Sequence, residues 1–227
     1  MNATLAGSAS MTLADSSLPP LKPKLRGWLH ASAAPLVLAA GIVLICLADN
    51  AVERIASAIY AAAGFVLFAT SATYHRFNWS PRPLGVLKRW DHANIYLLIA
   101  GSYTPIVAVG LSGTARTALL WTVWVGALLG VAFRVFWVQA PRILYTLLYV
   151  VLGWSVVPVM GRVFSEAGVA VGVLTLVGGV CYTVGGILYG LKRPNPWPRW
   201  FGFHEIFHAF TIAAWTCQYV AIALLVY

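Results

Sequence analysis

Residues 203–227 read FHEIFHAFTIAAWTCQYVAIALLVY, and Glu205 is their one formally charged side chain. A helix needs roughly 17–25 largely apolar residues to cross a bilayer, and this stretch supplies them. Six earlier stretches repeat the pattern, at about 32–48, 52–75, 91–110, 117–133, 143–160 and 167–191. The expected fold is therefore all-α: a polytopic membrane protein with seven transmembrane helices.

Composition agrees. Of 227 residues, 60% are hydrophobic and 9% charged, with a mean hydropathy of +0.81. Soluble domains carry about 25% charged residues, so this chain lacks the polar surface of a soluble monomer. Its length leaves no room for a separate soluble domain. Residues 1–29 read as a disordered cytoplasmic tail, polar at first and then bearing Pro19, Pro20 and Pro23 among Lys22, Lys24 and Arg26; residues 30–227 form the membrane domain. The first span, with basic residues before it and Ala48 at its end, imitates a signal peptide. The run is long for one and the tail before it extended, so the span is expected to remain.

Lys and Arg number 15 against 6 Asp and Glu. In a soluble chain such an excess points to nucleic acid; here the charges sit between apolar segments, so no nucleic-acid partner is expected. Twelve of them fall in the tail and in alternate loops, including Arg76, Lys88, Arg89, Arg134, Arg142 and Lys192, while Arg54, Arg116 and Arg162 take the other side. The positive-inside rule places the N-terminus and the 76–90 and 192–202 loops in the cytoplasm, with the C-terminus outside. Trp28, Trp79, Trp90, Trp197 and Trp200 gather near the same face, where indole rings favour headgroups.

Small residues such as Gly126, Gly130, Gly178, Gly179, Gly185 and Gly186 allow close helix approach in lipid. Pro35, Pro105 and Pro158 lie within or near spans, and interior ones are expected to kink them. Cys46, Cys181 and Cys217 all fall in apolar stretches and form no CxxC pair, which indicates neither a disulfide framework nor a thiolate metal site.

The topology gathers scattered polar groups. Ser71 and His75 fall in the last turns of the second span, Asp91 opens the third, and His204 and His208 open the seventh. All share one leaflet. Four residues apart, His204 and His208 occupy one helix face about 6 Å apart along the axis. Two such rings grip one ion, and His75 supplies a third ring from a facing helix. Neutral imidazoles suit zinc, and three protein ligands are the usual catalytic arrangement. The segment from His204 to His208 also fits HExxH, whose glutamate activates water in soluble zinc proteases.

The segments SATYH (71–75), DHANIYLLIAGSYTP (91–105) and FGFHEIFH (201–208) closely resemble the haemolysin-III-like bacterial branch of the progestin and adipoQ receptor family. That resemblance covers nearly all of the chain after the tail. It implies a seven-helix bundle in the bacterial inner membrane, with Zn2+ held by His75, His204 and His208. It sets Asp91 beside the metal through water and Ser71 in the surrounding hydrogen bonds. It further implies hydrolysis of a membrane lipid, an amide such as ceramide or an ester.

Two assignments stay open. Asp91 is the favoured general base and Glu205 its rival, sitting about 100° around the helix from His204. A receptor or lipid-homeostasis signalling protein with structural zinc is the alternative function; a haemolysin or pore is a third. His92 reads as an interface or supporting residue, His30 as interfacial, and Arg134 and Arg142 as anchors.

Overall fold

A computed structural model of the chain describes residues 22–227; most of the expected tail, 1–21, lies outside the described residues. Seven helices are long and apolar enough to cross a membrane: α1 (Trp28–Leu47), α2 (Ala51–Arg76), α3 (Pro81–Gly110), α4 (Gly113–Phe136), α5 (Arg142–Ala167), α6 (Val169–Leu191) and α7 (Phe203–Val226). The seven expected spans are all present.

Local chemistry sets the helix ends. Asn50 caps α2, its side chain accepting from the amides of Val52 and Glu53 at 3.0 and 3.1 Å, and so pairs two amides that the first turn leaves open. The start of α3 differs from expectation. The 76–90 stretch, read from sequence as a loop, is helical from Pro81 onward. Proline at the first helical turn loses no hydrogen bond and has its φ already set. Hydropathy marks where lipid begins rather than where a helix begins, so about ten polar and mixed residues, roughly 15 Å of helix, escaped notice.

Helix α5 is broken in the middle. Regular α-helix ends at Gly153, a turn follows, and Val157–Val159 form a 3-10 segment around Pro158 before a wide π-turn over Val163–Ala167. Proline cannot donate to the preceding turn. The Val157 amide bonds the Trp154 carbonyl instead, at 3.1 Å, and the Tyr103 hydroxyl of α3 donates to the freed Gly153 carbonyl. A neighbouring helix thus satisfies the backbone that lipid cannot. Pro35 and Pro105, by contrast, sit inside helices that run on without interruption.

Consecutive helices pack as neighbours from α1 to α4 and again from α6 to α7, and α7 closes the bundle against α1, α2 and α3. Helix α3 is the most buried. The outer faces are apolar, with Leu36, Trp121, Leu129, Phe136, Ile143 and Val169 exposed, as suits helices surrounded by membrane lipids. Glycine permits the close approach of α3 to α2 at Gly101, where a Cβ would stand 2.6 Å from that of Ala63. Gly101→Leu is expected to cost roughly 1–3 kcal/mol through overpacking, visible as a lower thermal midpoint in detergent.

Charge is polarised along the bundle. Among the described residues, twelve Lys and Arg stand near the end of α2 and the starts of α3 and α7 against Asp91 and Glu205; the opposite end carries Arg54, Arg116 and Arg162 against Asp49, Glu53 and Glu166. All five histidines lie at the basic end.

Candidate metal centre

His75 is the penultimate residue of α2, and His204 and His208 occupy the first two turns of α7. One nitrogen from each of these three rings lies within 4.8 Å of the others. The Nε2 atoms of His75 and His204 are 3.1 Å apart, while tetrahedral ligands at zinc–nitrogen distances near 2.05 Å stand about 3.3 Å from one another. His75 and His208 are buried, at 7% and 2% exposure. Nδ1 of His208 has no hydrogen-bond partner among the described residues, and a buried nitrogen left so is costly. Three clustered imidazoles, one with a buried unpaired nitrogen, fit a borderline-soft divalent ion such as Zn2+.

Asp91 lies beside this cluster without joining it. Its Oδ2 is 3.6 Å from His75 Nε2 and 3.9 Å from His92 Nδ1, and Ser71 lines the same cavity wall. His92 faces the Lys88 carbonyl through Nδ1, at 2.8 Å, and the Tyr189 hydroxyl through Nε2, at 3.4 Å. It supports the wall and does not belong to the cluster of three.

Glu205 is used elsewhere. It is fully buried; one oxygen pairs with the Arg26 guanidinium, and the other accepts the Gly202 amide at 2.8 Å. The HExxH spacing is real, yet its glutamate latches the N-terminal segment and caps α7. That latch has other members. The Lys24 amide bonds the Arg199 carbonyl at 3.0 Å and the Leu25 amide that of Trp200 at 3.2 Å. Gly27 turns the chain into α1 with φ 81°, and a Cβ there would stand 2.8 Å from that of His75. The left-handed turn and the close approach both require glycine.

His30 departs from the expectation of an interfacial ring. It is buried at 2% exposure, and its ring stacks on His208 with centroids 3.7 Å apart and planes within 9°. Both its nitrogens lack partners among the described residues. The sequence did carry a signal, since topology puts the start of α1 at the same end as the other four histidines. Arg134 and Arg142 also point inward. Arg134 is wholly buried over the Tyr145 ring, and Arg142 reaches the Tyr189 carbonyl at 3.2 Å.

A narrow cavity borders the imidazoles, walled by Ser71, Asp91, His204 and His208 together with Ile95 and Phe207. A second, largely apolar cavity shares Leu67, Ile95, Tyr149, Phe207 and Thr211 with it. It continues between α3, α5 and α6 past Leu98, Ile99 and Trp154. The cluster therefore adjoins a hydrocarbon-lined space inside the bundle.

Comparison with known proteins places this arrangement. A model of the family described as "Haemolysin-III related" matches residues 20–219. The Hemolysin-3 homolog of Bacillus subtilis (strain 168) is 31% identical over 186 residues, 81% of this chain and 84% of that protein. Hemolysin-3 of Bacillus cereus is 30% identical over 186 residues, 81% of this chain and 82% of that one. With its seven apolar helices and a match that spans nearly all of the described residues, this chain belongs to the haemolysin-III related family.

Proposed function

We propose that this protein is a zinc-dependent hydrolase of a lipid amide or ester, working at the cytoplasmic side of the bacterial inner membrane with its N-terminus inside. The observation that carries the reading is the junction of three imidazoles and a carboxylate with an apolar internal cavity. The orientation rests on the concentration of Lys and Arg at the end that holds the cluster.

His75, His204 and His208 would hold the ion. Zn2+ so bound supplies Lewis acidity, which acidifies water and polarises a carbonyl. Asp91 stands within reach of water beside the cluster; it takes a proton there and returns it to the departing amine or alcohol. Ser71, on the same cavity wall, orients water or substrate beside Asp91. Leu98, Ile99 and Phe207 receive the acyl chain and keep bulk water from it. Glu205 takes no part in proton transfer, because its two oxygens are engaged by Arg26 and the Gly202 amide.

A receptor with a structural ion is less well supported. Structural zinc takes four protein ligands, whereas the cluster holds three among the described residues and borders a cavity. The haemolysis in the relatives' names is a property of those proteins, and here the inward polar groups converge on imidazoles rather than line a passage.

The test joins metal analysis to product analysis. Purified full-length protein is expected to carry about one zinc per chain and to release fatty acid from an acylated lipid in mixed micelles. Chelation is expected to stop release and added zinc to restore it. Absence of stoichiometric transition metal at neutral pH ends the proposal.

A further inference from the structure

On the side away from the apolar cavity, the cluster opens into a second, polar recess that reaches His75, Asp91 and His204. Lys22, Arg26, Lys88 and Arg142 all line it. Asp91 is the one carboxylate among its described lining residues. Glu205 neutralises Arg26 from behind, while Lys22 and Lys88 form no ion pair among the described residues. Arg142 is held by a backbone carbonyl and the Tyr189 ring, which direct its charge without cancelling it. Burial, and then the nearby charges of Arg76 and Arg26, push the Lys22 ammonium below its usual pKa. Positive charge is thus in excess inside a concave site.

Membrane orientation alone asks only for cations at one end of the bundle. It does not ask that they surround one recess. Arg82 and Arg89 satisfy the orientation rule from the same helix as Lys88, yet they do not line it. A ligand with a matching negative charge explains the placement. Three uncancelled cations from separate segments suit phosphate, whose several terminal oxygens accept from Arg and Lys at once, better than a two-oxygen carboxylate. The apolar cavity on the far side of the imidazoles supplies the complementary half-site for hydrocarbon.

We propose that the ligand of this site is an acidic amphiphile: a lipid whose headgroup phosphate lies in the recess against Lys22, Lys88 and Arg142, and whose acyl chain fills the apolar cavity. The fate of that ligand rests on the hydrolase reading. Water adds to the acyl carbon and the acyl C–O or C–N bond breaks. The acyl half leaves as carboxylate on the apolar side; one of the water's protons goes to the departing oxygen or nitrogen of the phosphate-bearing half, and the second goes to the free amine or, for an ester, to solvent in the recess.

Binding is tested apart from turnover with 1-O-hexadecylglycerol 3-phosphate, an ether lipid with no acyl bond to cleave, against neutral 1-O-hexadecylglycerol. Full-length, metal-loaded protein in phosphatidylcholine nanodiscs is titrated with each. The phosphate form is expected to bind at least about tenfold tighter. Lys22→Gln/Lys88→Gln is expected to remove that advantage, with metal content and thermal midpoint unchanged. Arg82→Gln/Arg89→Gln is expected to change affinity by less than about twofold. Equal affinity for the two lipids, or equal losses in both double variants, overturns the proposal. Inorganic phosphate competing at the same concentration as the lipid phosphate also overturns it, since the ligand would then be a free anion. The probe is never hydrolysed, so a failed hydrolase assay leaves this result standing, and a failed binding assay leaves the hydrolase open.

Discussion

Asp91→Ala is expected to keep its zinc and lose about 10²–10⁴-fold in the rate of acyl release, while Glu205→Ala keeps the chemistry per folded molecule and loses stability. The contrast follows from how the two carboxylates are spent. The Asp91 carboxylate lines the cavities on both sides of the cluster, 3.6 Å from a ring nitrogen of His75. Glu205 is buried between Arg26 and the Gly202 amide. Its removal takes the counter-charge from the part-exposed Arg26 and leaves the Gly202 amide unpaired, at a cost of about 1–3 kcal/mol. Zinc per chain, initial rate and thermal midpoint, measured on both variants, separate the effects. An inactive, fully loaded Glu205→Ala beside an active Asp91→Ala reverses the assignment.

The second large effect concerns metal retention. His75→Ala, His204→Ala and His208→Ala should each reduce zinc from about one to below about 0.1 per chain after purification, because two imidazoles do not complete a three-ligand site. His92→Ala should retain it, since that ring faces the Lys88 carbonyl and Tyr189. Stability should follow occupancy, as the free energy of binding an ion at a site absent from the unfolded chain adds to that of folding. Chelation is then expected to lower the thermal midpoint of the wild type and to leave the three variants nearly unmoved. Elemental analysis with a parallel melt checks both statements; full zinc in all three histidine variants defeats the proposed site.

Much of this was legible in the chain. Apolar runs gave the seven spans because lipid demands them, and alternation of direction alone brings residues 71, 75, 91, 204 and 208 to one end. Pro158 foretold the break in α5 because it lacks an amide proton. Three features were hidden. The start of α3 at Pro81 lies outside the hydrophobic signal altogether. The tie between Arg26 and Glu205 joins residues 179 apart in sequence, and no periodicity encodes a pairing of that kind. Lying within HExxH, Glu205 invited a catalytic reading from local pattern alone, and only the path of the N-terminal segment shows what occupies it. His30 was undervalued for a related reason: its depth depends on how α1 leans against α7, and a ring near a helix end reads as interfacial until that packing is known.

The latch between residues 24–26 and the beginning of α7 has a consequence for biogenesis. His75 leaves the ribosome more than a hundred residues before His204, so no complete ion pocket exists while the first six helices are being inserted. Only when the last helix arrives does the earliest described stretch of chain find Glu205, Arg199 and Trp200. Any ion that these three rings hold together must therefore bind after α7 is in place, and a nascent chain stalled before α7 should emerge without it whatever the metal supply of the cell.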